Sequence, residues 1–289
     1  MIVLRSHAKI NISLDLTGRR NDGYHLLRTV MQTISLSDII RMEKLESAQI
    51  KISCNVPYIP TDERNIVHKI ATAFFDYTGI DAGVYVRLKK YIPSGAGLGG
   101  GSSNGAAVLE GLCRLYDVTM TKDQRVRLTE KIGADIPFFV YGGTALCEGI
   151  GEKVTPLSSL PQCWIVIAKP KASLSTASVF SALQIPQVFE ISSTDTVLEK
   201  LEKGDICEIF RYSQNALEDA AIAKCPVIAN IKKTMYSQGA VFSMMSGSGS
   251  AVYGVFTDRK TARAAYEYVH NLCKCTYIAK PCSCSFEEN

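Results

Sequence analysis

The chain has 289 residues, of which 46% are apolar and 21% are charged, a composition typical of a soluble globular protein with one large domain or two lobes. A net charge of only +4, without a run of five or more basic residues, argues against a nucleic-acid-binding surface. The sequence shows neither a signal peptide nor an 18-residue apolar stretch. We therefore expect a cytoplasmic monomer or weak homodimer with no nucleic-acid or membrane partner.

The first part of the chain predicts strands that lead into a glycine-rich segment. Residues 8–16, A-K-I-N-I-S-L-D-L, alternate apolar and polar side chains, which is typical of a half-buried strand. A turn-rich loop follows at residues 17–23. Further strands are predicted at 30–36, 39–44, 50–54 and 84–88, with a helix from 61 to about 77.

The rest of the chain mixes helices and strands without a regular repeat. Helices are predicted at 104–116 and, after a capping box at Thr121 and Gln124, up to Gly133; glycines at 142–143 and 149–151 indicate a hairpin. The composition change at Pro156–Pro161 predicts a boundary between an N-terminal lobe, residues 1–156, and a C-terminal lobe, residues 157–289. The C-terminal lobe is predicted to contain strands at 164–168, before 246, at 251–256 and at the end, with helices between 175 and 238 and up to about 272. This pattern favours an α+β fold with two lobes.

The segment 93–107 reads P-S-G-A-G-L-G-G-G-S-S-N-G-A-A and stands between a predicted strand and a predicted helix. Glycine is entropically costly to order, and such a bare segment cannot pack a core. A strand, a glycine loop and a helix in this order bring backbone N–H groups and a helix N-terminus to one point, where phosphate binds well. Ser94, Ser102 and Ser103 add hydroxyl groups. The segment therefore predicts an anion site.

Other kinds of glycine loop fit the segment less well. A Walker A loop needs G-K-[ST], but this loop has G-S-S-N. A dinucleotide fingerprint is formally present at Gly95, Gly97 and Gly100, but Asp117 follows a helix rather than a second strand, which disfavours a nicotinamide oxidoreductase. The H-R-D and D-F-G motifs of protein kinases do not occur. A glycine-rich surface turn without a ligand is the structural alternative.

Ten cysteines are present, and four of them cluster near the C-terminus. The other six are scattered in mostly apolar surroundings, which suits reduced core thiols. Four thiolates could hold zinc, but C-x-C is not the usual C-x2-C spacing, and residues two apart share one face of a strand. We therefore expect reduced thiols rather than zinc or disulfides. The cluster consists of Cys273, Cys275, Cys282 and Cys284.

Segment 93–107 resembles the second motif, P-x-x-x-G-L-G-S/G-S-S-A/N, of the kinase superfamily named for galactokinase, homoserine kinase, mevalonate kinase and phosphomevalonate kinase (GHMP). Residues 8–16 and S-G-S-G-S-A-V-Y at 246–253 are similar to its other two motifs. The resemblance implies ATP- and Mg²⁺-dependent phosphoryl transfer. It also implies a two-lobed GHMP-kinase-like fold, with an N-terminal lobe of the ribosomal protein S5 domain 2 type and a C-terminal α/β sandwich.

Two stretches, G-R-R-N-D-G-Y-H at 18–25 and G-A-D-I-P-F-F at 133–139, are similar to the branch that phosphorylates 4-diphosphocytidyl-2-C-methyl-D-erythritol in non-mevalonate isoprenoid biosynthesis. The resemblance implies a small-molecule kinase acting on the 2-hydroxyl of this cytidyl diphosphate sugar alcohol. One alternative is another GHMP kinase such as homoserine kinase, which the Y-H and F-F pairs disfavour. Another is a non-catalytic nucleotide-binding relative. The resemblance is expected to end near residue 257, before the cysteine-rich tail.

The resemblance also assigns roles to single residues. Lys9 and Asp135 are expected to be the catalytic cation and base; without the resemblance they would be interpreted as a solvated strand lysine and a helix cap. Retention of both disfavours the non-catalytic alternative. The ATP-binding residues are expected to be Pro93, Ser94, Gly95, Ala96, Gly97, Leu98, Gly99, Gly100, Gly101, Ser102 and Ser103, with Asn65, which could be only a helix cap, and Lys90, which could be only solvated. The acceptor-binding residues are expected to be Asn11, Tyr24, His25, Ser246, Gly247, Ser248 and Gly249. The Mg²⁺ ligands are not identified, although Ser102 and Ser103 are possible.

Overall fold

Two β-sheets with helices packed on them organise the chain, whose computed structural model describes residues 1–183 and 192–288. The strands are β1 (Ile2–Arg19), β2 (His25–Leu45), β3 (Ile50–Cys54), β4 (Gly83–Lys89), β5 (Thr144–Gly149), β6 (Lys153–Pro156), β7 (Trp164–Ala168), β8 (Phe242–Met245), β9 (Val252–Phe256), β10 (Thr276–Ala279) and β11 (Phe286–Glu288). The helices are α1 (Ile66–Thr78), α2 (Gly100–Tyr116), α3 (Lys122–Thr129), α4 (Ile136–Tyr141), α5 (Thr176–Phe180), α6 (Ser193–Lys203), α7 (Ile206–Arg211), α8 (Glu218–Lys224), α9 (Val227–Ser237) and α10 (Arg259–Leu272).

The seven-stranded sheet has the order β11–β1–β2–β4–β3, and β5 also pairs with β2 and carries β6 on its other side. The four-stranded sheet has the order β10–β7–β9–β8 and is antiparallel throughout. In the larger sheet, β3 and β4 are parallel and the other pairs are antiparallel. This architecture confirms the predicted α+β class.

The long hairpin of β1 and β2 carries one wall of the main cavity. Its strands pair antiparallel from Ile2 and Met42 to Arg19 and His25, with a register shift between His7 and Ala8. The predicted strand at 8–16 is therefore too short, and the predicted strands at 30–36 and 39–44 are one continuous strand. Polar residues near the shift interrupt the apolar alternation in the sequence, and there the Ser35 N–H donates to the tail carbonyl of Lys280 rather than to β1.

Helices α1 and α2 pack against each other and on the seven-stranded sheet, around an apolar core that includes Phe74 and Leu112. Helix α1 begins later than predicted because Asn65 caps it, accepting the Val67 N–H at 2.9 Å. Helix α2 begins at Gly100, earlier than the predicted start at 104. The prediction missed its first turn because glycine and serine have low helix propensity. The helix N-terminus thus lies inside the glycine loop itself.

Two short helices follow α2. The capping box of Thr121 and Gln124 is confirmed, but α3 ends at Thr129 rather than at Gly133. Helix α4 was not expected from the sequence pattern, which has no apolar periodicity there. Pro137 lies in its first turn, where a missing N–H costs nothing, so a proline at a helix start was the available signal.

The remaining predictions for the second half agree with the structure in type. The hairpin of β5 and β6 and the strands at 164–168, before 246 and at 251–256 are confirmed. The predicted helices between 175 and 238 correspond to α5–α9, while residues 184–191 lie outside the described part. The single predicted final strand is two strands: β10 joins the small sheet, and β11 pairs with β1 in the large one.

Within the described residues, no helix combines the length and the apolarity needed to cross a membrane.

Candidate active site

A cavity of about 800 Å³ opens where the β1–β2 hairpin meets the loops that precede α2 and follow β8. Many residues predicted for the site line it together: Lys9, Asn11, Tyr24, His25, Gly95, Gly97, Gly99, Ser102, Asp135, Gly247, Ser248 and Gly249. The other loop residues lie outside this lining: Pro93, Ser94, Ala96, Leu98, Gly100, Gly101, Ser103 and Ser246. The cavity thus brings residues more than 200 positions apart in the sequence into one site.

The glycine loop passes so close to its neighbours that side chains would not fit. A Cβ added at Gly97, where φ is +75°, would lie 2.0 Å from the carbonyl oxygen of Ser246. A Cβ at Gly99, where φ is +68°, would lie 2.7 Å from the ring of Phe139. Both positions have the left-handed backbone that glycine tolerates best. Glycine here is therefore required by the close approach of two loops and of α4.

Hydrogen bonds hold the loop in place from three sides. The Lys9 N–H donates to the Leu98 carbonyl at 3.0 Å, which ties the loop to β1. The Ser246 hydroxyl donates to the Gly97 carbonyl at 2.9 Å, and the Ala251 N–H donates to the Ala96 carbonyl at 3.1 Å. The two glycine loops, 93–103 and 246–250, therefore form one connected surface.

The N-terminus of α2 presents donors without partners. Its cap residue, Gly99, has no side chain to bond the first turn, and the N–H groups of residues 100–102 have no partner among the described residues. The partial positive charge of a helix N-terminus adds to these donors, so the position suits an anion. Ser102 lines the cavity, whereas Ser103 is buried and donates its hydroxyl to the His7 carbonyl at 2.6 Å.

Lys9 lies at the buried end of the cavity, with a relative exposure of only 3%. Its ammonium donates to Asn11 Oδ1 at 2.5 Å, and Asn11 in turn donates to the Thr29 hydroxyl at 2.9 Å. Burial lowers the pKa of Lys9 from its ordinary value of 10.5, and the charge of Asp135 opposes this shift. The interpretation as a solvated lysine is therefore wrong.

Asp135 occupies the N-cap position of α4 and lines the cavity. Its carboxylate, however, makes no capping hydrogen bond to the helix, so the interpretation as a structural cap is wrong. The buried rings of Phe138 and Phe139 follow it in α4. The inner end of the cavity thus contains a fixed ammonium and a carboxylate that the helix does not use.

Lys90 and Asn65 lie outside the cavity lining. The Lys90 ammonium is only 7% exposed and pairs with the buried Asp38, and it also bonds Asn104 Oδ1 at 2.7 Å, so the alternative of a solvated lysine is wrong. Asp38 accepts the backbone N–H groups of residues 91 and 92, directly before the glycine loop. This buried pair therefore fixes both the entry to the loop and the first turns of α2. Asn65 uses its side chain for the cap of α1 and for a bond to the Pro60 carbonyl.

The outer end of the cavity is open and aromatic. Tyr24 is 61% exposed and lines the cavity rather than packing beneath its loop. The ring of His25 stacks on Phe180 of α5, with centroids 5.0 Å apart. Burial and the nearby charge of Arg19 lower the pKa of His25, which keeps the imidazole neutral over a wider pH range. These side chains form a surface suited to a flat ring with hydrogen-bonding edges.

Several lining residues were missed by reasoning from the sequence. Arg19 and Asp22 lie in the same turn as Tyr24, and their charges beside an aromatic residue were the available signal. Thr29 was missed because it lies on β2, where alternation indicates burial but not function. Leu174, Thr176, Ala177, Phe180 and Ser181 come from α5 and its flanks, where the sequence has no motif.

The four cysteines of the tail do not form a zinc knuckle in the described structure. The one group of potential metal ligands among the described residues combines His7, Cys284 and Glu287, and it excludes Cys273, Cys275 and Cys282. The structure has all ten cysteines as free thiols.

Comparisons with known proteins identify the family. The GHMP kinases N terminal domain matches residues 65–143, and the GHMP kinases C terminal domain matches residues 197–275. The 4-diphosphocytidyl-2-C-methyl-D-erythritol kinase of Clostridium botulinum is 42% identical over 264 residues, which are 91% of this chain and 94% of that protein. The protein of the same name from Caldicellulosiruptor saccharolyticus is 40% identical over 288 residues, covering 100% and 99% of the two chains. The expectation that the resemblance ends near residue 257 is therefore wrong, because the similarity includes the tail.

Solved structures agree with these relatives. A crystal structure of 4-(cytidine 5'-diphospho)-2C-methyl-D-erythritol kinase matches with a TM-score of 0.83 at 32% identity, covering 97% of this chain and 99% of that one. The homoserine kinase of Cytophaga hutchinsonii matches with a TM-score of 0.78 at 17% identity, over 100% and 97% of the chains, and shows the shared fold alone. The chain belongs to the GHMP kinase family and, within it, to the 4-diphosphocytidyl-2-C-methyl-D-erythritol kinases.

Proposed function

We propose that this ATP-dependent kinase transfers the γ-phosphoryl group of ATP to the 2-hydroxyl of 4-diphosphocytidyl-2-C-methyl-D-erythritol, a step of isoprenoid precursor synthesis. The observation that carries the proposal is the cavity beside an aromatic surface. It brings together a glycine loop, a buried lysine and an aspartate that makes no capping hydrogen bond to its helix. Relatives that are 40–42% identical over nearly the whole chain carry the name of this activity.

The glycine loop and the start of α2 are the proposed seat of the ATP phosphates. The free N–H groups of residues 100–102 and the Ser102 hydroxyl supply donors, while Gly97 and Gly99 let the loop pack against Ser246 and Phe139 and so hold these donors in place. The other loop residues act through their backbone. Lys90 contributes by pairing with Asp38, which fixes residues 91 and 92 directly before the loop. Asn65 contributes by capping α1.

Lys9 and Asp135 are the proposed catalytic residues. The acceptor oxygen forms a bond to the γ-phosphorus while the bond from that phosphorus to the β–γ bridging oxygen breaks, and the hydroxyl proton moves to the Asp135 carboxylate. The Lys9 ammonium lies beside them and stabilises the charge that spreads over the phosphoryl oxygens. Asn11 holds that ammonium, so the positive charge is in place before the reaction starts.

Mg²⁺ is the proposed metal. It prefers oxygen ligands and commonly binds through substrate phosphates, waters and one or two protein groups. The site offers the Ser102 hydroxyl, which lines the cavity, and the ATP phosphates and waters would supply the other oxygen ligands. This small set of oxygen ligands fits such an ion, which when bound neutralises phosphate charge. Ser103 is less suited because its buried hydroxyl is committed to the His7 carbonyl.

The outer end of the cavity is the proposed acceptor subsite. Tyr24 offers an exposed ring for stacking on the cytosine, and neutral His25 can bond its polar edge. Asn11, Gly247, Ser248 and Gly249 line the cavity, and we propose that they bind the diphosphate and the sugar alcohol. Ser246, outside the lining, would contribute by fixing the glycine loop through its bond to the Gly97 carbonyl.

A coupled ATPase assay with a panel of acceptors tests the proposed function. We expect turnover with the cytidyl acceptor and none with homoserine or mevalonate. Turnover with either of the small acceptors, or binding without any turnover, would overturn the assignment in favour of another GHMP kinase or of a non-catalytic relative.

We further propose a cytoplasmic location, which the ten free thiols support because they suit a reducing compartment. We also propose that the chain acts as a monomer or weak homodimer. Cell fractionation and analytical ultracentrifugation, respectively, are the checks.

A further inference from the structure

A second group of chemically active side chains lies where the C-terminal tail returns to β1, outside the lining of the main cavity. A ring nitrogen of His7, the Cys284 thiol and a Glu287 carboxylate oxygen lie within 4.8 Å of one another. The proposed kinase reaction uses none of these side chains. A histidine, a cysteine and a glutamate in one group form a typical donor set for a borderline divalent metal ion.

The geometry around His7 fixes its metal-binding form. Its Nδ1 lies 3.1 Å from the Cys284 carbonyl oxygen, and a carbonyl oxygen can only accept a hydrogen bond. Nδ1 therefore carries the ring hydrogen, which leaves the lone pair on Nε2. Metal-binding histidines commonly have one nitrogen bonded to a backbone carbonyl in this way, because the bond orients the ring and sets the tautomer.

The Cys284 thiol donates a hydrogen bond to the Glu287 carboxylate. The Cys284 thiol lies 3.5 Å from a Glu287 carboxylate oxygen, in an arrangement where a divalent ion can replace the proton between sulfur and oxygen. A neutral imidazole, a thiolate and a carboxylate together carry a charge of about −2, which balances such an ion. The thiol proton would be released to solvent on binding.

The backbone holds His7 and Cys284 in place, whereas the side chain of Glu287 is free to move. His7 is buried in β1, and its N–H donates to the Ser285 carbonyl at 2.7 Å, which holds the bend that carries Cys284. Glu287 is exposed, so its side chain can move. Ligand atoms around a tetrahedral zinc ion are about 3.6 Å apart, so the three side chains, now within 4.8 Å of one another, must move closer, and the exposed Glu287 can do so.

We propose that His7, Cys284 and Glu287 form a zinc-binding site, completed by water, that fastens the C-terminal tail to β1 of the seven-stranded sheet. The site is structural rather than catalytic, because its side chains lie outside the substrate cavity. It adjoins the phosphate loop through one hydrogen bond, from the Ser103 hydroxyl to the His7 carbonyl. Zinc occupancy is therefore expected to stabilise the region behind that loop.

Metal binding to the full-length protein, kept reduced by a phosphine, tests the proposal. Wild-type protein is expected to bind one Zn²⁺ per chain, and one Co²⁺ with a thiolate-to-cobalt charge-transfer band. C284S is expected to lose that band and to weaken zinc binding by more than about 100-fold, because even residues outside the first coordination shell contribute about 10–100-fold. E287Q is expected to keep the band and bind about 10-fold more weakly or worse.

C275S is the matched control, because Cys275 is an exposed thiol of the same tail that is not in the ligand group. It is expected to bind zinc as wild type does. Zinc is also expected to raise the melting temperature of wild type and C275S but not of C284S. If C284S binds as tightly as wild type, or if C275S loses binding equally, the metal is held adventitiously by surface thiols and the proposal is wrong. Kinase activity without zinc is expected to be the same in C284S and wild type, so this test is independent of the proposed function.

Discussion

The two ends of the main cavity are built differently. At the inner end, Lys9 is buried, is bonded to Asn11, and lies under a glycine loop that is fixed to β1. At the outer end, Tyr24 is mostly exposed, and His25 is held by a ring contact with Phe180. Fixed charges are effective where charge develops during a reaction, because they need no reorganisation. An exposed aromatic surface instead contributes to the binding of a flat group. We therefore expect substitutions at the inner end to reduce turnover and substitutions at the outer end to raise KM.

The largest effect is expected from D135A at the inner end. Removing the carboxylate that accepts the hydroxyl proton should lower kcat by about 10²–10⁴-fold, while the dissociation constant for ATP changes little. Single-turnover kinetics and ATP titration provide the measurement. A near-normal rate in this variant would mean that the carboxylate has no role in proton transfer.

The second largest effect is expected from G97A, which should lower kcat/KM for ATP by about 100-fold. The new Cβ would lie 2.0 Å from the Ser246 carbonyl oxygen, so the loop must move, and a shift of about 1 Å can cost this much. G79A is the matched control: φ there is +67° but no atom lies within 4 Å of the new Cβ. It should lose some stability and keep its activity; equal losses in the two variants would show that backbone strain alone explains the effect.

The pH dependence of kcat/KM and of the free energy of unfolding reports on the charge of Lys9 at the inner end. Because burial lowers the pKa of Lys9 below 10.5, the ammonium loses its proton at lower pH than an exposed lysine does. We expect kcat/KM to fall as pH rises through that lowered pKa, by about tenfold per pH unit if the charge is essential. Between the lowered pKa and 10.5 the unfolded chain binds more protons, so the free energy of unfolding should rise with pH in that window.

K9R separates the lysine from other titrating groups, because a guanidinium stays charged through this range. The alkaline decline in kcat/KM should disappear from whatever activity the variant retains. A decline at an unchanged pH would assign it to another group.

The smallest effect is expected at the outer end. Y24A should raise KM for the cytidyl acceptor by about tenfold and leave kcat nearly unchanged, since stacking of a base on an aromatic ring is worth about 1–3 kcal/mol. Y77A is the control, because Tyr77 is also exposed, at 54%, but lies outside the cavity. A larger effect on kcat than on KM would contradict the separation of the two ends.

The sequence predicted the inner end better than the outer end, and the reason is physical. The glycines at 95, 97 and 99 form a rare local pattern with few explanations, whereas Lys9 was identified only through the family resemblance of its strand. The structure brings all of them to one cavity. The wall formed by Phe180 and its neighbours depends on tertiary packing against His25. No local pattern in the sequence encodes such a contact between residues so far apart.

The positions at which strands end also depend on contacts with residues that are distant in the sequence. β2 continues through Ser37 and Asp38, where polar residues would ordinarily end a strand, because Asp38 is paired with Lys90 in the interior. The pair joins residues 52 positions apart, so propensity and periodicity carry no trace of it. The same pair explains why the loop entry is fixed, which the sequence alone did not suggest.

The most direct test of the account is a crystal structure with a nonhydrolysable ATP analogue and the cytidyl acceptor bound together. The account predicts phosphate oxygens on the N–H groups of residues 100–102, the acceptor hydroxyl between the Lys9 ammonium and the Asp135 carboxylate, and the cytosine at Tyr24. A triphosphate bound away from the start of α2, or an acceptor hydroxyl out of reach of both side chains, would contradict it.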